Sequence, residues 1–189
     1  MIQKDQWPPT VLVLAAGQGS RFKASGGSVD KLDALLHGQS VRSHVLAAVH
    51  ASGLPHHVVE RHHLAGIPDA GMGDSIACGV TATPHANGWL ILPADLPLIQ
   101  PATLLEVAHA LRAHAIVVPF FNQTRGHPVA FQACFRDELM RLTGDVGARR
   151  VVSQRVFHPL NVNDQGVVLD VDTVELLDEA HRALQHREA

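Results

Sequence analysis

The chain has no tyrosine, two tryptophans and six phenylalanines, so aromatic residues make up only 4% of its 189 positions. It also has no run of basic residues. A nucleic-acid platform needs basic and aromatic side chains together, and that class is excluded. Two cysteines, Cys78 and Cys134, cannot by themselves build a disulfide framework or a zinc ribbon. Cys78 lies in an apolar helical stretch and reads as core. No apolar run approaches the roughly 18 residues of a membrane span, and the opening stretch Met1–Gln6 carries no apolar signal-peptide segment. These absences lead to the expectation of a cytoplasmic protein with neither membrane nor nucleic acid as partner. Charge is low as well: 15 basic and 18 acidic residues give a net charge of −3, while 46% of the residues are hydrophobic. That is the composition of a globular core, not of a disordered segment. Histidine is abundant, at 14 residues, so acid should change the charge of the surface strongly.

Short apolar runs alternate with helical patterns. Val11–Ala15, Trp89–Leu92 and Ala115–Val118 read as buried strands, and His57–Glu60 as a further one. Helical spacing covers 40–52, closed by Gly53, a helix opening at 71–74 with Asp74 as a cap, 103–113, two short segments near 135–142 and 148–154, and 173–185. The stretch 16–30 reads as a loop, 120–131 as a loop feeding an edge strand, and 166–170 as a late strand. Alternation of this kind predicts an α/β fold: three layers, a mostly parallel sheet and helices on both faces. There is no internal repeat and no dividing linker. The chain is therefore expected to be one domain over 1–189, with a first half at about 10–100 and a second at about 101–189.

The sharpest motif is Leu14-Ala15-Ala16-Gly17-Gln18-Gly19-Ser20-Arg21-Phe22, directly after a buried strand. Gly17 and Gly19 allow a tight turn and close backbone approach to an anion. Arg21, and Lys31 further on, add positive charge. The motif lacks the Gly-Lys-Ser/Thr ending of a Walker loop. Phe22 stands where a dinucleotide fingerprint would have its third glycine, which counts against a dinucleotide-binding oxidoreductase. An ordinary strand-to-helix turn would use the same glycines. Asp95 follows a strand end, between Pro93 and Pro97, where open α/β sheets bind ligands. A carboxylate there suits Mg²⁺, although a turn aspartate can also bond its own backbone. Asp170 and Asp172 fall on one side of an extended segment and could hold a metal together. Asp172 also fits a helix N-cap, with Glu175 as its capping-box partner. Arg125-Gly126-His127-Pro128 and Gly144-Asp145-Val146-Gly147-Ala148-Arg149-Arg150 offer donors for an anionic, heteroatom-rich ligand, or are solvated loops. His56, His57, His62 and His63 invite a zinc reading. Adjacent histidines on a strand point to opposite faces, however, and the spacing fits no common finger.

Taken in order, these motifs, together with Gly71-Met72-Gly73-Asp74-Ser75, Pro93-Ala94-Asp95-Leu96-Pro97 and Asp170-Val171-Asp172-Thr173, resemble the MobA-like nucleotidyltransferases. The resemblance runs from Val11 to Leu177. The glycine loop is shared by many sugar-nucleotide transferases. The Gly-His-Pro-Val and Gly-Asp-x-Gly-Ala-Arg pair resembles the molybdenum cofactor cytidylyltransferases in particular.

That resemblance implies a Rossmann-like nucleotidyltransferase fold and transfer of CMP from CTP to molybdopterin cofactor, with release of pyrophosphate. It implies that Leu14, Ala15, Ala16, Gly17, Gly19, Ser20, Arg21 and Lys31 bind the nucleotide, with the loop from Gly17 to Arg21 and Lys31 on its triphosphate, and that Gly71, Gly73 and Ser75 lie beside the cytidine. Arg21, Lys31 and Asp95 would be catalytic. Asp95 and Asp172 would hold Mg²⁺, or Mn²⁺ in its place, with Asp170 the next candidate. His127, Asp145, Gly147 and Arg149 would line the acceptor side. A molybdoenzyme would receive the product. Ala16 stands where the guanylyl branch usually carries glycine, which favours cytidine. Other readings are a nucleotidyltransferase using GTP or a sugar-phosphate acceptor, and a non-enzymatic molybdenum-cofactor chaperone; pyrophosphate release separates the two. The chain departs from its relatives in a longer 24–30 stretch, in Val174 where proline is common, and in its histidine-rich 56–63 segment.

Overall fold

The computed structural model describes residues 8–188; the opening stretch Met1–Gln6 lies outside the described residues. Strand β1 (Thr10–Ala15) is buried along its whole length and pairs in parallel with β4 (His56–Glu60) on one side and β5 (Gly88–Pro93) on the other. β8 (Val129–Gln132) pairs antiparallel with both β5 and β6 (Ile116–Phe121), so β5 and β6 run the same way. β7 (Thr124–Arg125) forms a hairpin with the end of β6, and β9 (His158–Asn161) lies parallel to β6 on its far side. The sheet order is β4-β1-β5-β8-β6-β7, with β9 on β6. β2 (Leu35–Leu36) and β3 (Gln39–Ser40) make a separate small hairpin. The mostly parallel α/β architecture matches the expectation.

Alternation along the strands makes the two cores. Val11 and Val13 of β1 and Leu90 and Leu92 of β5 pack with α2 (Val41–Ser52), α4 (Pro101–Ala110) and α7 (Val174–Glu188). Leu12, Leu14, Trp89 and Ile91 face the other way, onto α3 (Met72–Ala82), α5 (Arg136–Met140) and α6 (Arg149–Ser153). The sheet is thus covered on both faces, which is why its central strands read as continuous apolar runs. No helix among the described residues is long and apolar enough to cross a membrane.

Several expectations change. A short helix, α1 (Ser20–Ala24), forms inside the stretch read as a loop. β8 is an interior strand rather than an edge, and β9 had no counterpart in the sequence reading. The expected strand at 166–170 is instead a 3₁₀ turn, Gln165–Val167. Its cause is Asp164, a buried carboxylate that accepts the N–H groups of Gln100 and Gly166 and the Thr103 hydroxyl, and pairs with Arg187. Asp74 is the third residue of α3, not its cap.

Candidate active site

The carboxyl ends of β1, β4 and β5 meet at one edge of the sheet. Because β8 is antiparallel, with Ile91 opposite Val129, it begins at that same edge and brings His127 to it. A bond from the Val171 N–H to the Asp95 carbonyl, at 2.8 Å, holds the 170–172 segment there. The result is a cleft of about 760 Å³.

Four side chains form a charged cluster on its floor. The Lys31 ammonium donates to Asp95 Oδ2 at 2.5 Å and to Asp172 Oδ1 at 2.8 Å. Arg21 Nη1 lies 2.6 Å from Asp172 Oδ2. The Lys31, Asp95 and Asp172 side chains are only 10–15% exposed, whereas that of Arg21 is 76% exposed. Burial works against the Lys31 charge, yet the two carboxylates hold its pKa above the ordinary lysine value. Burial also opposes ionisation of Asp172, but Lys31 and Arg21 together keep its carboxyl below the usual range. Asp170 goes the other way: burial first, then the charges of Asp172 and Asp95, push it up. His127 is held below its ordinary value by burial, against a bond to the Ile91 backbone and the pull of Asp95, which favours a neutral ring.

The glycine loop forms one wall. Gly19 adopts a left-handed conformation (φ 62°), and a Cβ there would meet the stem of Lys31 at 3.4 Å. Gly17 is different: no protein atom lies within 4 Å of where its Cβ would be. Packing inside the chain therefore does not require a glycine at 17, and close approach by a ligand would.

Among the residues singled out from sequence, Leu14, Ala16, Gly17, Gly19, Ser20, Arg21, Lys31, Gly71, Ser75, Asp95, His127, Asp145 and Asp172 all line the cleft. Ala15, Gly73, Gly147 and Arg149 are not part of its wall. Ala15 is the last residue of β1; Gly73 and Gly147 are buried, and Arg149 is exposed at the start of α6. A Cβ on Gly71 would fall 2.3 Å from the Gly144 backbone, and one on Gly73 2.7 Å from the Thr143 carbonyl. The Gly-Met-Gly-Asp run is thus first a junction with the 143–147 turn. Asp74 completes it, accepting the N–H groups of Gly71 and Gly144 at 2.9 and 2.8 Å.

Asp172 does not cap α7. Thr173 does, its hydroxyl accepting the Leu176 N–H at 3.3 Å. Arg125, named from sequence only as a donor of the 125–128 loop and given no specific role, also belongs to the site. It lines the cleft, with its guanidinium 4.6 Å from the Phe157 ring centre. Phe157 is distant in sequence, so no local motif announces that stacking.

For a divalent cation, the available donors are hard carboxylate oxygens, and Asp95 Oδ1 is buried without a hydrogen-bond partner. No group of three or more His, Cys, Asp or Glu among the described residues forms a ready ligand set. Two carboxylates completed by substrate phosphates suit Mg²⁺ or Mn²⁺, so the residues fit such an ion. In the 56–63 segment, the His62 and His63 rings lie 3.9 Å apart and His57 and His63 5.8 Å apart.

Residues 11–160 match the MobA-like NTP transferase domain family. The fold resembles that of Rv0371c from Mycobacterium tuberculosis H37Rv, with a TM-score of 0.75 and 24% identity over 93% of this chain and 99% of that one. A second structure of that protein is a complex with manganese. A nucleotidyl transferase from Methanothermobacter thermautotroptrophicus gives 0.77, with 19% identity over 95% and 99% of the two chains. Molybdopterin-guanine dinucleotide biosynthesis protein A from Archaeoglobus fulgidus gives 0.63, with 15% identity over 94% and 99%. No curated protein matches by sequence.

Proposed function

Since the chain belongs to the MobA-like NTP transferase family, and so to the nucleotidyltransferases, we propose that it transfers CMP from CTP to molybdopterin cofactor and releases pyrophosphate. The observation that carries this reading is the Lys31–Asp95–Asp172–Arg21 cluster beneath the glycine loop. A terminal phosphate oxygen of the acceptor attacks the α-phosphorus of CTP in line. One P–O bond forms, the bond to the β-phosphate oxygen breaks, and pyrophosphate leaves with the electron pair. The attacking phosphate is already ionised at neutral pH, so no general base is needed. The task of the protein is to align two anions and to stabilise charge on the leaving group.

Arg21 and Lys31 meet that need with fixed positive charge, and the loop from Ala16 to Ser20 brings backbone close to the phosphates. Asp95 and Asp172 would hold a divalent cation, which supplies further charge neutralisation on the phosphate oxygens when bound. Asp170 lies beside them in the cleft, its carboxyl pushed up by burial and by the charges of Asp172 and Asp95. His127 and Asp145 line the cleft and would take the acceptor. His127 Nδ1 is buried without a hydrogen-bond partner, an unmet polar group that a heteroatom of the acceptor would satisfy on binding. Delivery of the product to a recipient molybdoenzyme belongs to the same reading.

The test is a panel of CTP, GTP and ATP with molybdopterin cofactor, read as pyrophosphate release. CTP should give the fastest release, Ala16 and the 71–75 segment being the basis for cytidine. Faster turnover with GTP would reassign the nucleotide, and no release with any of them would leave a binding protein.

A further inference from the structure

We propose that Arg61 is a positioning residue for phosphate binding: it fixes the glycine loop to the segment that delivers Lys31. This rests on the reading that the loop and Lys31 hold a triphosphate. Arg61 Nη2 donates to the Gly17 carbonyl at 2.5 Å and to Asp30 Oδ2 at 2.6 Å. One guanidinium therefore joins three segments that are distant in sequence.

Each partner has a defined place. Asp30 immediately precedes Lys31 and organises its turn: its other oxygen, Oδ1, accepts the Leu32 N–H at 3.1 Å. Its carbonyl accepts the N–H groups of Asp33 and Ala34. Burial raises the Asp30 pKa, but the Leu32 bond, Arg61 and Lys23 outweigh it, so the carboxylate stays ionised. Gly17 is the loop glycine with open space around it, and glycine loses the most conformational freedom when it is ordered. A bond to its carbonyl removes much of that freedom before ligand arrives. It also occupies an oxygen that would otherwise repel an approaching phosphate. Lys31 returns to the loop, its stem packing beside Gly19. Gly17, Arg61, Asp30, Lys31 and Gly19 thus form a closed ring of contacts around the proposed phosphate site.

Arg61 is itself held in place. The register of β1 and β4 sets Glu60 opposite Ala15, so the residue after β4 emerges beside the start of the loop. The Arg61–Leu64 turn is fixed by a capping box between Glu60 and His63, with the Glu60 N–H donating to His63 Nδ1 at 3.0 Å. This gives the histidine-rich segment a role: it builds the turn that presents Arg61. The same contact anchors the end of the 24–30 stretch through Asp30.

The test uses the full chain and two probes, inorganic pyrophosphate and CTP, with affinities measured by calorimetry. Arg61→Met should raise both dissociation constants about tenfold, the lower end of what one lost hydrogen bond to a charged group costs. Asp30→Asn should do the same, and the Arg61→Met/Asp30→Asn double variant should be no worse than the more affected single one. In turnover, KM for the nucleotide should rise while KM for the acceptor stays constant. Arg61→Lys should recover part of the affinity, and all four variants should melt within a few degrees of the native chain. A native chain that binds pyrophosphate, beside an Arg61→Met variant that binds it equally well, overturns the role of Arg61 and leaves the reaction standing. Additive losses in the double variant overturn the ring. A native chain that binds neither probe overturns both the ring and the triphosphate reading.

Discussion

Asp172 and Thr173 are adjacent and have opposite duties. The Asp172 carboxylate lies between Lys31 and Arg21, so replacing it with asparagine leaves two cations short of one negative charge. Asp172→Asn should lower turnover by about 10²–10³, the range for loss of one preorganised electrostatic contact. Its melt should fall only modestly, because Lys31 keeps Asp95 as a partner. Thr173→Ala removes the hydroxyl that caps α7 and should cost about 0.5–2 kcal/mol of stability with turnover unchanged. Paired denaturant melts and pyrophosphate assays separate the two; a Thr173→Ala variant with impaired turnover at normal stability would reverse the assignment. At this scale the sequence was informative about residue type and blind to pairing. The Asp-x-Asp-Thr-x-Glu pattern satisfies a capping box on paper, with Asp172 as cap and Glu175 three residues on. Lys31, 141 positions earlier, and Arg21 draw Asp172 away from that task. Arg61 was equally hidden, because both its partners come from other segments of the chain.

Elements were legible where burial was complete and obscure where partners were distant. β1 and β5 show as continuous apolar runs because both of their faces are covered. β8 has only four residues, and nothing within it shows that β5 and β6 flank it. β9 contains Pro159, which argues against a strand in local reading; it is tolerated at the far side of β6, where the ladder ends. The Gly71–Asp74 run reads as a helix start, and the structure adds that it is a contact between two backbones. At Gly73 a Cβ would lie 2.7 Å from the Thr143 carbonyl and 2.8 Å from the Thr143 nitrogen, both backbone atoms. Gly73→Ala should therefore destabilise the fold by about 1–3 kcal/mol, the cost of overpacking a tight junction. Gly73 does not line the cleft, so the fraction that stays folded should bind CTP with native affinity. Chemical denaturation and calorimetry at a temperature well below the melt check the two halves. A loss of CTP affinity at unchanged stability would put Gly73 in the nucleotide site after all.

Across the whole molecule, 14 histidines against a net charge of −3 make acid the condition that changes most. Two of these histidines are held below their ordinary value: His127 by burial, and His57 by burial together with the charges of His63 and His56. A histidine with a depressed pKa in the folded state binds a proton more readily once the chain unfolds. Its contribution to stability is therefore complete above the ordinary value of about 6.5 and declines as pH falls from there toward the folded value. Asp172, Asp30 and Asp74, also depressed, follow the same sense but in a lower window, below the carboxylate value of about 4. Asp170, which is raised, works oppositely: its contribution is complete below the ordinary carboxylate value and is lost as pH rises through its folded value, so it cannot cause a fall on acidification. The melting temperature should thus drop between pH 7.5 and 5.5 through the histidines, ahead of any carboxylate transition. His127→Gln removes the most buried of these groups while keeping a polar side chain, so its melting temperature should drop by less over the same interval. Thermal melts of both proteins at the two pH values supply the comparison, each protein against itself. Equal drops would mean that His127 does not contribute to the loss, and that the other histidines account for it.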